Sequence, residues 1–442
     1  MARLAFVGPM PPAPTGVASY AAVVLDALGR THLAVEHELE SVWPLADNDP
    51  RVLEATLAIY HVGNNVEFHG RVYAHALRRP GIVVLHDVAL DDLMAGLTAT
   101  GSDLGESARR EIVARRGVGT AARADDPLGF PWCLPLVRRA HAVIVHSTFA
   151  AEHVRSHGVD TPVHVVPHPT VEAPARIAAA RAEREAFRGR ALRRRRDALL
   201  VAVAGDLNPT KGIEAVMRAI GMTHHPIHLV LVGRTVPAWD VAAAVRASGH
   251  ARHVTIVPHV SDSEFLAWLG ASDVLVNLRF PHRGESSGTL LRALQMGVPT
   301  VVSAGGAYLE WPEDVVVRVS PGPPNPAEIA AVLDGLAADP AGRVALGRRA
   351  ARFVAEARRP ELTAEAYERA IEETLAWAVD PARLAMRRSA GALAEIGMSL
   401  DSVDMVRRLG YGAVLAELWM ATGTPGATRP EARSPDVERF RR

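Results

Sequence analysis

The sequence predicts an α/β protein with two doubly wound domains, each built around a parallel sheet. Short runs of Val, Leu and Ile that end at Gly, Pro or His recur in both halves of the 442-residue chain. Most are followed by a longer segment, rich in Ala, Arg and Leu, with helical periodicity. Strands that are apolar on both faces and alternate with helices are typical of parallel sheets covered by helices on both sides.

Each half of the chain contains five predicted strands. In the first half they are RLAFVG, LAIYHVG, GIVVLHD, AVIVHS and VHVVPHP, and in the second half they are LLVAVAG, IHLVLVG, VTIVPHV, DVLVNL and PTVVSAGG. Nearly continuous aliphatic runs of this length indicate buried strands. We therefore expect one Rossmann-like domain over residues 1–175 and a second over residues 198–360.

The segments outside the two sheets are predicted to be helical or disordered. Residues 176–197 are predicted to form an arginine-rich helical linker. Its run Arg193–Arg196 is consistent with weak contact with anionic lipid, or with a helix face exposed to solvent. We favour the solvated face. After Pro360, ELTAEAYERAIEETLAWA predicts an amphipathic helix, the first of the helices expected over 361–421. The Pro-, Gly- and Thr-containing tail at 422–442 is predicted to be disordered.

Composition excludes several functional classes. The formal net charge is zero, so no overall field draws the molecule to nucleic acid or to a membrane. A single cysteine, Cys133, excludes an internal disulfide and a cysteine metal cluster. The start of the sequence lacks a signal-peptide pattern, and no stretch approaches the ~20 apolar residues that span a bilayer. We expect a cytoplasmic protein, with contact at the inner face of the membrane as the alternative.

Lys211 is the only lysine in the sequence. It lies in AGDLNPTKGIEAV, in the loop after the first predicted strand of the second domain. Open α/β sheets bind ligands at the carboxyl ends of their strands, and an ammonium group suits phosphate oxygens. The alternative is a surface lysine retained by chance in an arginine-biased sequence.

A second anion site is predicted where the strand DVLVNL leads into the loop GESSG, residues 284–288, and the helix that follows it. Small residues let backbone N–H groups at a helix N-terminus approach an anion, and the helix dipole adds positive charge there. The alternative is that Ser286 or Ser287 only caps the helix. Both predicted sites lie at the same sheet edge.

These stretches resemble a known family. GDLNPTKG with RGESSGTLLRALQMGVPTVVS looks like the donor site of glycosyltransferase family 4, retaining enzymes of the GT-B fold. GPMPPAPTGVASYAAVVLDAL resembles the opening glycine loop and helix of that family. YHVGNNVEFHGRVYAHALRRPGIVVLHDVAL resembles a bacterial subset, and VIVHSTFAAEHVR resembles a later strand and helix. The resemblance spans about residues 4–375 and implies that C-terminal helices cross back to an acceptor-side first domain.

The resemblance implies that Lys211 binds the diphosphate group of the donor. Many family members carry an arginine where this chain has Asp206, so that contact is missing or comes from Arg234 or Arg283. Arg292 stands where the second family glutamate would meet the nucleotide ribose. A guanidinium cannot accept hydrogen bonds from ribose hydroxyls, so Arg292 binds phosphate or lies on the helix surface.

The remaining predicted site residues follow from the same resemblance. Glu285 is the carboxylate beside the donor sugar, and the N–H groups around Ser286, Ser287, Gly288 and Thr289 bind the diphosphate. Gly16 faces the donor phosphates from the first domain. His86 lies beside the reacting sugar with Asp87 next to it, and Asn64 and Asn65 bind hydroxyls or only form a turn.

The function implied is sugar transfer from a nucleotide diphosphate sugar to an acceptor hydroxyl with retained configuration, in polysaccharide or glycoconjugate biosynthesis. Glu285, His86 and Lys211 are the expected catalytic residues, without metal or cofactor, and the acceptor is a carbohydrate or a lipid-linked precursor. One alternative is a non-catalytic sugar-nucleotide-binding or scaffolding protein. Another is pyridoxal phosphate on Lys211, which needs a desolvated amine, whereas the position beside Gly212 indicates an open loop. Neither glycine loop has the spacing of a nicotinamide site.

Overall fold

The computed structural model describes residues 1–116, 126–193, 195, 197–236, 239–258 and 260–378. Residues 1–371 form one compact unit. Residues 372–442 form a second, of which only the end of the last helix is described. The predictions for residues 379–421 and 422–442, and for two arginines of the run, at 194 and 196, lie outside the described residues.

The first domain is a six-stranded sheet in the order β2-β1-β3-β4-β5-β6, with parallel neighbours. Its strands are β1 Arg3–Val7, β2 Glu38–Val42, β3 Leu57–Val62, β4 Ile82–Leu85, β5 Ala142–Val145 and β6 Val163–Val165. Its helices are α1 Gly16–Leu28, α2 Leu33–Glu36, α3 Pro50–Leu53, α4 Val66–Arg78, α5 Asp91–Ala99, α6 Asp103–Arg116, α7 Leu134–Arg139 and α8 Thr148–Arg155.

The second domain repeats this architecture with the sheet order β12-β11-β10-β7-β8-β9, again with parallel neighbours. Its strands are β7 Leu199–Ala204, β8 Ile227–Val232, β9 Val254–Val257, β10 Val274–Asn277, β11 Thr300–Ser303 and β12 Val317–Val319. The helices are α9 Pro174–Ala182, α10 Arg184–Leu192, α11 Ile213–Ile220, α12 Val241–Ala247, α13 Asp262–Ala271, α14 Gly288–Gln295, α15 Pro326–Ala338, α16 Pro340–Ala357 and α17 Pro360–Ala378. Single 3₁₀ turns lie at Pro209–Lys211, Ala251–His253 and Gly306–Glu310.

The predicted α/β fold with two doubly wound sheets is confirmed, but each sheet has six strands and not five. The two additional strands, which were not predicted from the sequence, are β2 and β12. Both are edge strands, and both are only partly buried. The edge strand β2, ELESV, has no continuous aliphatic run, so the pattern that identified the other strands is absent there. Strand β12 is only three residues long, and Arg318 interrupts its aliphatic run.

Strand β7 shows why the aliphatic runs form inner strands. All six of its residues are buried. Leu199, Val201 and Val203 pack with α11 and α15 on one face of the sheet, whereas Leu200 and Ala202 pack with α10 and α13 on the other. The helices of the segment at 174–192 thus cover the second sheet, where the Phe187 ring meets the Trp268 ring edge-on.

Helix α17 returns from the second domain to the first. The Tyr367 and Tyr20 hydroxyl groups are 2.8 Å apart and buried. The Leu33 N–H donates to the Glu368 carboxylate at 2.8 Å. The predicted return of the chain to the first domain is therefore confirmed, and it joins α17 to α1 beneath the opening glycine loop.

Candidate functional site

The loop after β7 carries Lys211 at the end of a single 3₁₀ turn. Gly212 follows with a φ of 64°, a left-handed conformation that lets α11 begin at once. The Lys211 side chain is buried, with 3% of the residue exposed, and its amine donates to the Ala204 carbonyl. Burial, and secondarily Arg279, lowers the pKa of this amine well below its usual value. The expectation of an open loop at this lysine is wrong.

The loop after β10 begins α14 with unpaired backbone donors. Ser287 caps the helix by accepting from the Leu290 N–H at 3.2 Å, and it also bonds Asn277. Among the described residues, no acceptor faces the N–H groups of Gly288 and Thr289. The first turn has no acidic residue, and the space beside Gly288 is open. The positive end of the α14 dipole is therefore not neutralised by a side chain of its own first turn.

Gly205 is the point where these two loops meet. A Cβ atom at this position would lie 2.8 Å from the Lys211 Nζ atom and 3.0 Å from the Thr289 hydroxyl oxygen. The φ of Gly205 is 91°, which favours glycine. The amine from one loop and the first turn of α14 from the other thus flank a single glycine at the carboxyl edge of the sheet.

The opening loop of the first domain presents a similar helix end. Helix α1 begins at Gly16 and is capped by the Thr15 hydroxyl, which accepts from the Val17 N–H. Its first turn has no acidic residue, and the space beside Gly16 is open. Neither α1 nor α14 therefore has a carboxylate in its first turn, the position from which an acidic side chain often neutralises the positive end of a helix dipole.

Two arginines considered for the missing diphosphate contact are paired with carboxylates. Arg234 makes a two-pronged bond to Asp206, with 3.1 and 2.8 Å between donor nitrogens and carboxylate oxygens. Arg283 makes the same kind of bond to Asp91 across the domain interface, at 2.8 and 2.9 Å. Asp206 therefore neutralises Arg234 beside the lysine loop, and Arg283 links the two domains.

Glu285 is held at the interface between the domains. Its carboxylate lies 3.0 Å from the Arg279 guanidinium and accepts from the Arg283 N–H at 2.6 Å. Asp87 of the first domain lies close enough to feel its charge. Burial, with Glu285 as the second cause, raises the pKa of Asp87 to about 7. Two carboxyl groups from opposite domains therefore face the same region.

His86 is part of a chain of imidazoles. His61 Nδ1 lies 3.2 Å from His86 Nε2, and His86 Nδ1 lies 3.3 Å from His146 Nε2. His146 Nδ1 must donate to the Val166 carbonyl at 2.9 Å. Because burial lowers the pKa values of all three, the rings are neutral, and the donors then run from His61 through His86 to His146. Both ring nitrogens of His86 are therefore in use.

Of this group only His86 was predicted from the sequence as a site residue, whereas His61, His146 and His168 were not. The signal was present, because the predicted strand segments YHVG, LHD, VHS and VPHP all carry a histidine near their carboxyl ends. Adjacent parallel strands bring such residues to one edge. Tyr20 of α1 packs edge-on against His86 and His168.

Asn64 and Asn65 act as helix caps. The Asn64 side chain accepts from the Leu93 N–H at the start of α5 and donates to Asp91, both at 2.9 Å. The Asn65 side chain accepts from the Glu67 N–H at 2.8 Å and caps α4. Both side chains therefore have structural partners at the starts of these helices.

Arg292 lies in an ion-pair cluster. Its Nε atom lies 2.8 Å from the carboxylate of Glu172, whose side chain is 1% exposed. Another guanidinium nitrogen lies 3.2 Å from Asp262, and Arg176 pairs with both carboxylates. The cluster joins α14 to the segment between the sheets, so Arg292 is not free on the helix surface.

Within the described ranges, no group of three or more His, Cys, Asp or Glu residues is arranged to hold a metal ion. The helices in the described part of the chain include none long and apolar enough to cross a membrane.

Part of the chain matches a known protein family. Residues 198–339 match the family model for glycosyl transferases group 1. No curated protein sequence matches the chain significantly.

Solved structures match over most of the chain. Sucrose-phosphate synthase from Thermosynechococcus elongatus is 15% identical with a TM-score of 0.61, covering 85% of this chain and 100% of its own. Anabaena HepE in complex with UDP and glucose is 14% identical with a TM-score of 0.56, covering 84% and 100%. WaaG, a glycosyltransferase involved in lipopolysaccharide biosynthesis, is 16% identical with a TM-score of 0.52, covering 82% and 98%. The fold is therefore that of the GT-B glycosyltransferases.

Proposed function

We propose that the protein is a retaining glycosyltransferase that transfers a sugar from a nucleotide diphosphate sugar to an acceptor hydroxyl, in polysaccharide or glycoconjugate biosynthesis. The meeting of Lys211 and the N-terminus of α14 at Gly205 carries this proposal. A diphosphate needs such a concentration of donors and positive charge. The group 1 match over residues 198–339, and a HepE structure with UDP-glucose, support a nucleotide-sugar donor.

In the proposed reaction, the bond between the sugar C1 and the diphosphate oxygen breaks as the acceptor oxygen attacks the same face of C1. The departing phosphate takes the acceptor proton, so no protein nucleophile is required. Negative charge grows on the diphosphate, and the N–H groups of Gly288 and Thr289 stabilise it. The charge of the ligand also favours the protonated form of the buried Lys211 amine.

Glu285 and His86 orient the donor sugar in this proposal. Glu285 is fixed by Arg279 and by the Arg283 N–H, so its carboxylate can accept sugar hydroxyls in one position. The two ring nitrogens of His86 are bonded to other imidazoles. His86 therefore contributes a rigid surface beside the sugar, because hydrogen bonds to the neighbouring histidines hold its ring in place.

The proposal is tested by Lys211→Met, which removes the amine but keeps a buried side chain of similar length. Thermal-shift titrations with UDP-, GDP-, ADP- and dTDP-sugars identify the donor, because a ligand of the native state raises the melting temperature. Loss of one charge-assisted contact weakens donor binding by about ten- to a hundredfold. The matched control is Arg218→Met, an exposed cation on the following helix, which leaves binding unchanged. Equal donor affinity in Lys211→Met and the wild type would refute the site.

Measurements on the same protein samples distinguish two alternative functions from the proposed one. Donor binding without transfer or slow hydrolysis, across a broad panel of donors, favours a non-catalytic sugar-nucleotide-binding protein. The desolvated Lys211 amine meets one requirement of a Schiff base with pyridoxal phosphate. An absorbance band of the purified protein between about 330 and 430 nm, absent from Lys211→Met, would support that cofactor.

A further inference from the structure

The loop between β10 and α14 lies against the first domain, and Arg283 makes most of the polar contacts. Its carbonyl accepts the N–H groups of Val88 and Ala89, at 3.1 and 3.2 Å. Its guanidinium donates to Asp91 at 2.8 and 2.9 Å, and its own N–H donates to Glu285 at 2.6 Å. One residue therefore joins the first domain to the carboxylate proposed to face the donor sugar.

Asp91 is itself held in place within the first domain. It lies in the first turn of α5 and accepts the Asn64 side-chain amide at 2.9 Å. The side chains of Asp91 and Arg283 are 26% and 20% exposed, so their two-pronged bond is partly shielded from water. Such a bond is stronger than an exposed ion pair. The neighbouring Asp92 is 64% exposed and lies 3.4 Å from the guanidinium, so Asp91 is the principal partner.

The start of α8 makes the next contact across this interface. The Glu310 carboxylate of the second domain accepts the N–H groups of Thr148 and Phe149, at 3.0 and 2.7 Å. The Phe149 ring also meets the His282 ring of the β10–α14 loop edge-on, with 5.3 Å between the ring centroids. Together with the two that reach the Arg283 carbonyl, four N–H groups of the first domain therefore donate to the second.

The position of Glu285 depends on the backbone at residue 283. One carboxylate oxygen lies 3.0 Å from the Arg279 side chain, and the other accepts the Arg283 N–H. If Asp91 no longer holds the guanidinium, residue 283 can move, and this half of the carboxylate support moves with it. The proposed diphosphate contacts come instead from Lys211 and the N-terminus of α14. Loss of Asp91 should therefore affect the sugar end of the donor selectively.

We propose that Asp91 is a positioning residue for the donor sugar, which acts through Arg283 to fix Glu285. The carboxylate is then correctly placed only while the two domains are in contact. The role in orienting the sugar rests on the proposed glycosyltransferase function. The coupling of the β10–α14 loop to the first domain does not.

The first test compares two ligands in Asp91→Asn, which removes the charge but keeps the shape of the side chain. The ligands are the nucleotide sugar of the UDP, GDP, ADP and dTDP panel that gives the largest thermal shift, and the corresponding nucleoside diphosphate. Affinity for the nucleotide sugar and kcat should fall by about tenfold or more, because a charge-assisted contact is lost. Affinity for the nucleoside diphosphate should stay within about twofold. The control Asp103→Asn makes the same change in the exposed first turn of α6 and leaves both affinities unchanged. Equal losses for the two ligands, or no loss for either, would overturn the positioning role.

A double-mutant cycle tests whether Asp91 acts through Glu285. If it does, adding Asp91→Asn to Glu285→Gln lowers nucleotide-sugar affinity by less than about twofold further. Fully additive effects would show that Asp91 acts by another route. If Asp91→Asn does not fold, Arg283→Lys takes its place, because lysine keeps the charge but cannot form the two-pronged bond. The same selective loss at the sugar is then expected, and its absence contradicts the proposal.

Hydrogen exchange of the ligand-free full chain tests the coupling between the domains. The amides of Val88 and Ala89 should exchange at least about tenfold faster in Asp91→Asn than in the wild type, because their bonds to Arg283 open more often. Asp103→Asn should leave them unchanged. Unchanged exchange in Asp91→Asn overturns the coupling. Failure of the glycosyltransferase proposal is recognised separately, as a wild type that binds no nucleotide sugar while the exchange response is intact.

Discussion

Asp87→Asn tests whether the interface between the domains holds a carboxyl group that is protonated near neutral pH. Burial and the nearby Glu285 raise the pKa of Asp87 from 3.8 to about 7. A carboxyl group with a raised pKa in the folded state stabilises the fold relatively at low pH, and this contribution is lost as the pH rises through about 7. The asparagine variant lacks this dependence and can still accept the Asn64 N–H, which lies 3.0 Å from the aspartate.

The size of the effect follows from the shift in pKa. With about 1.4 kcal/mol per pKa unit, the raised pKa of Asp87 lowers the stability of the fold by about 2 kcal/mol near pH ~5 and by about 4 kcal/mol near pH ~8.5. The variant therefore gains about 2–3 kcal/mol over the wild type between these two pH values. For a domain of this size, each kcal/mol moves the melting temperature by roughly 2–4 °C. The melting temperature of Asp87→Asn should therefore rise relative to the wild type by roughly 5–10 °C across that range.

The assay is thermal unfolding of the wild type and Asp87→Asn, followed by circular dichroism at several pH values. Asp26→Asn is the control, because Asp26 carries the same chemical group on an exposed surface and its side chain is 65% exposed. Its melting temperature should stay close to that of the wild type at every pH. A constant difference between Asp87→Asn and the wild type across the pH range would refute the inferred protonation of Asp87.

Two further predictions concern the donor loops. Gly205→Ala places a methyl group 2.8 Å from the lysine amine at a φ of 91°, so it should weaken donor binding by more than tenfold, as isothermal titration would show. Binding equal to the wild type would contradict the crowding seen there. Arg292→Met leaves Glu172 with one partner in a buried site and should destabilise the fold by about 2–4 kcal/mol in urea unfolding. Adding Glu172→Gln should restore part of that loss, and strictly additive effects would argue against the pair.

Much of the proposed donor site could be predicted from the sequence because its signals are local. Lys211 lies in a loop directly after an aliphatic strand, and the loop GESSG directly precedes an amphipathic helix. In parallel sheets, such loops converge at one edge whatever the details of packing. Strand period and loop position therefore sufficed to bring Lys211 and Thr289 to the same place.

The pairing of charged side chains could not be predicted in this way. Arg292 lies far from Glu172 in the sequence, and Glu310 lies far from Thr148, with many helices and strands between the members of each pair. The burial of Lys211 depends on how the loop folds over the end of β7, which its glycine and proline residues do not reveal. Each of these contacts requires both partners to be placed by elements distant in sequence.

The sequence by itself determined two parallel sheets and the loops at their carboxyl edges, because aliphatic runs and helix starts are properties of neighbouring residues. Only the tertiary structure decided which charges are neutralised, as for Arg234 by Asp206, and which groups are buried, as for the amine of Lys211. The physical reason is that periodicity specifies secondary structure over a few residues. Ion pairing and desolvation depend instead on distances of a few ångströms between groups that only the folded chain brings together.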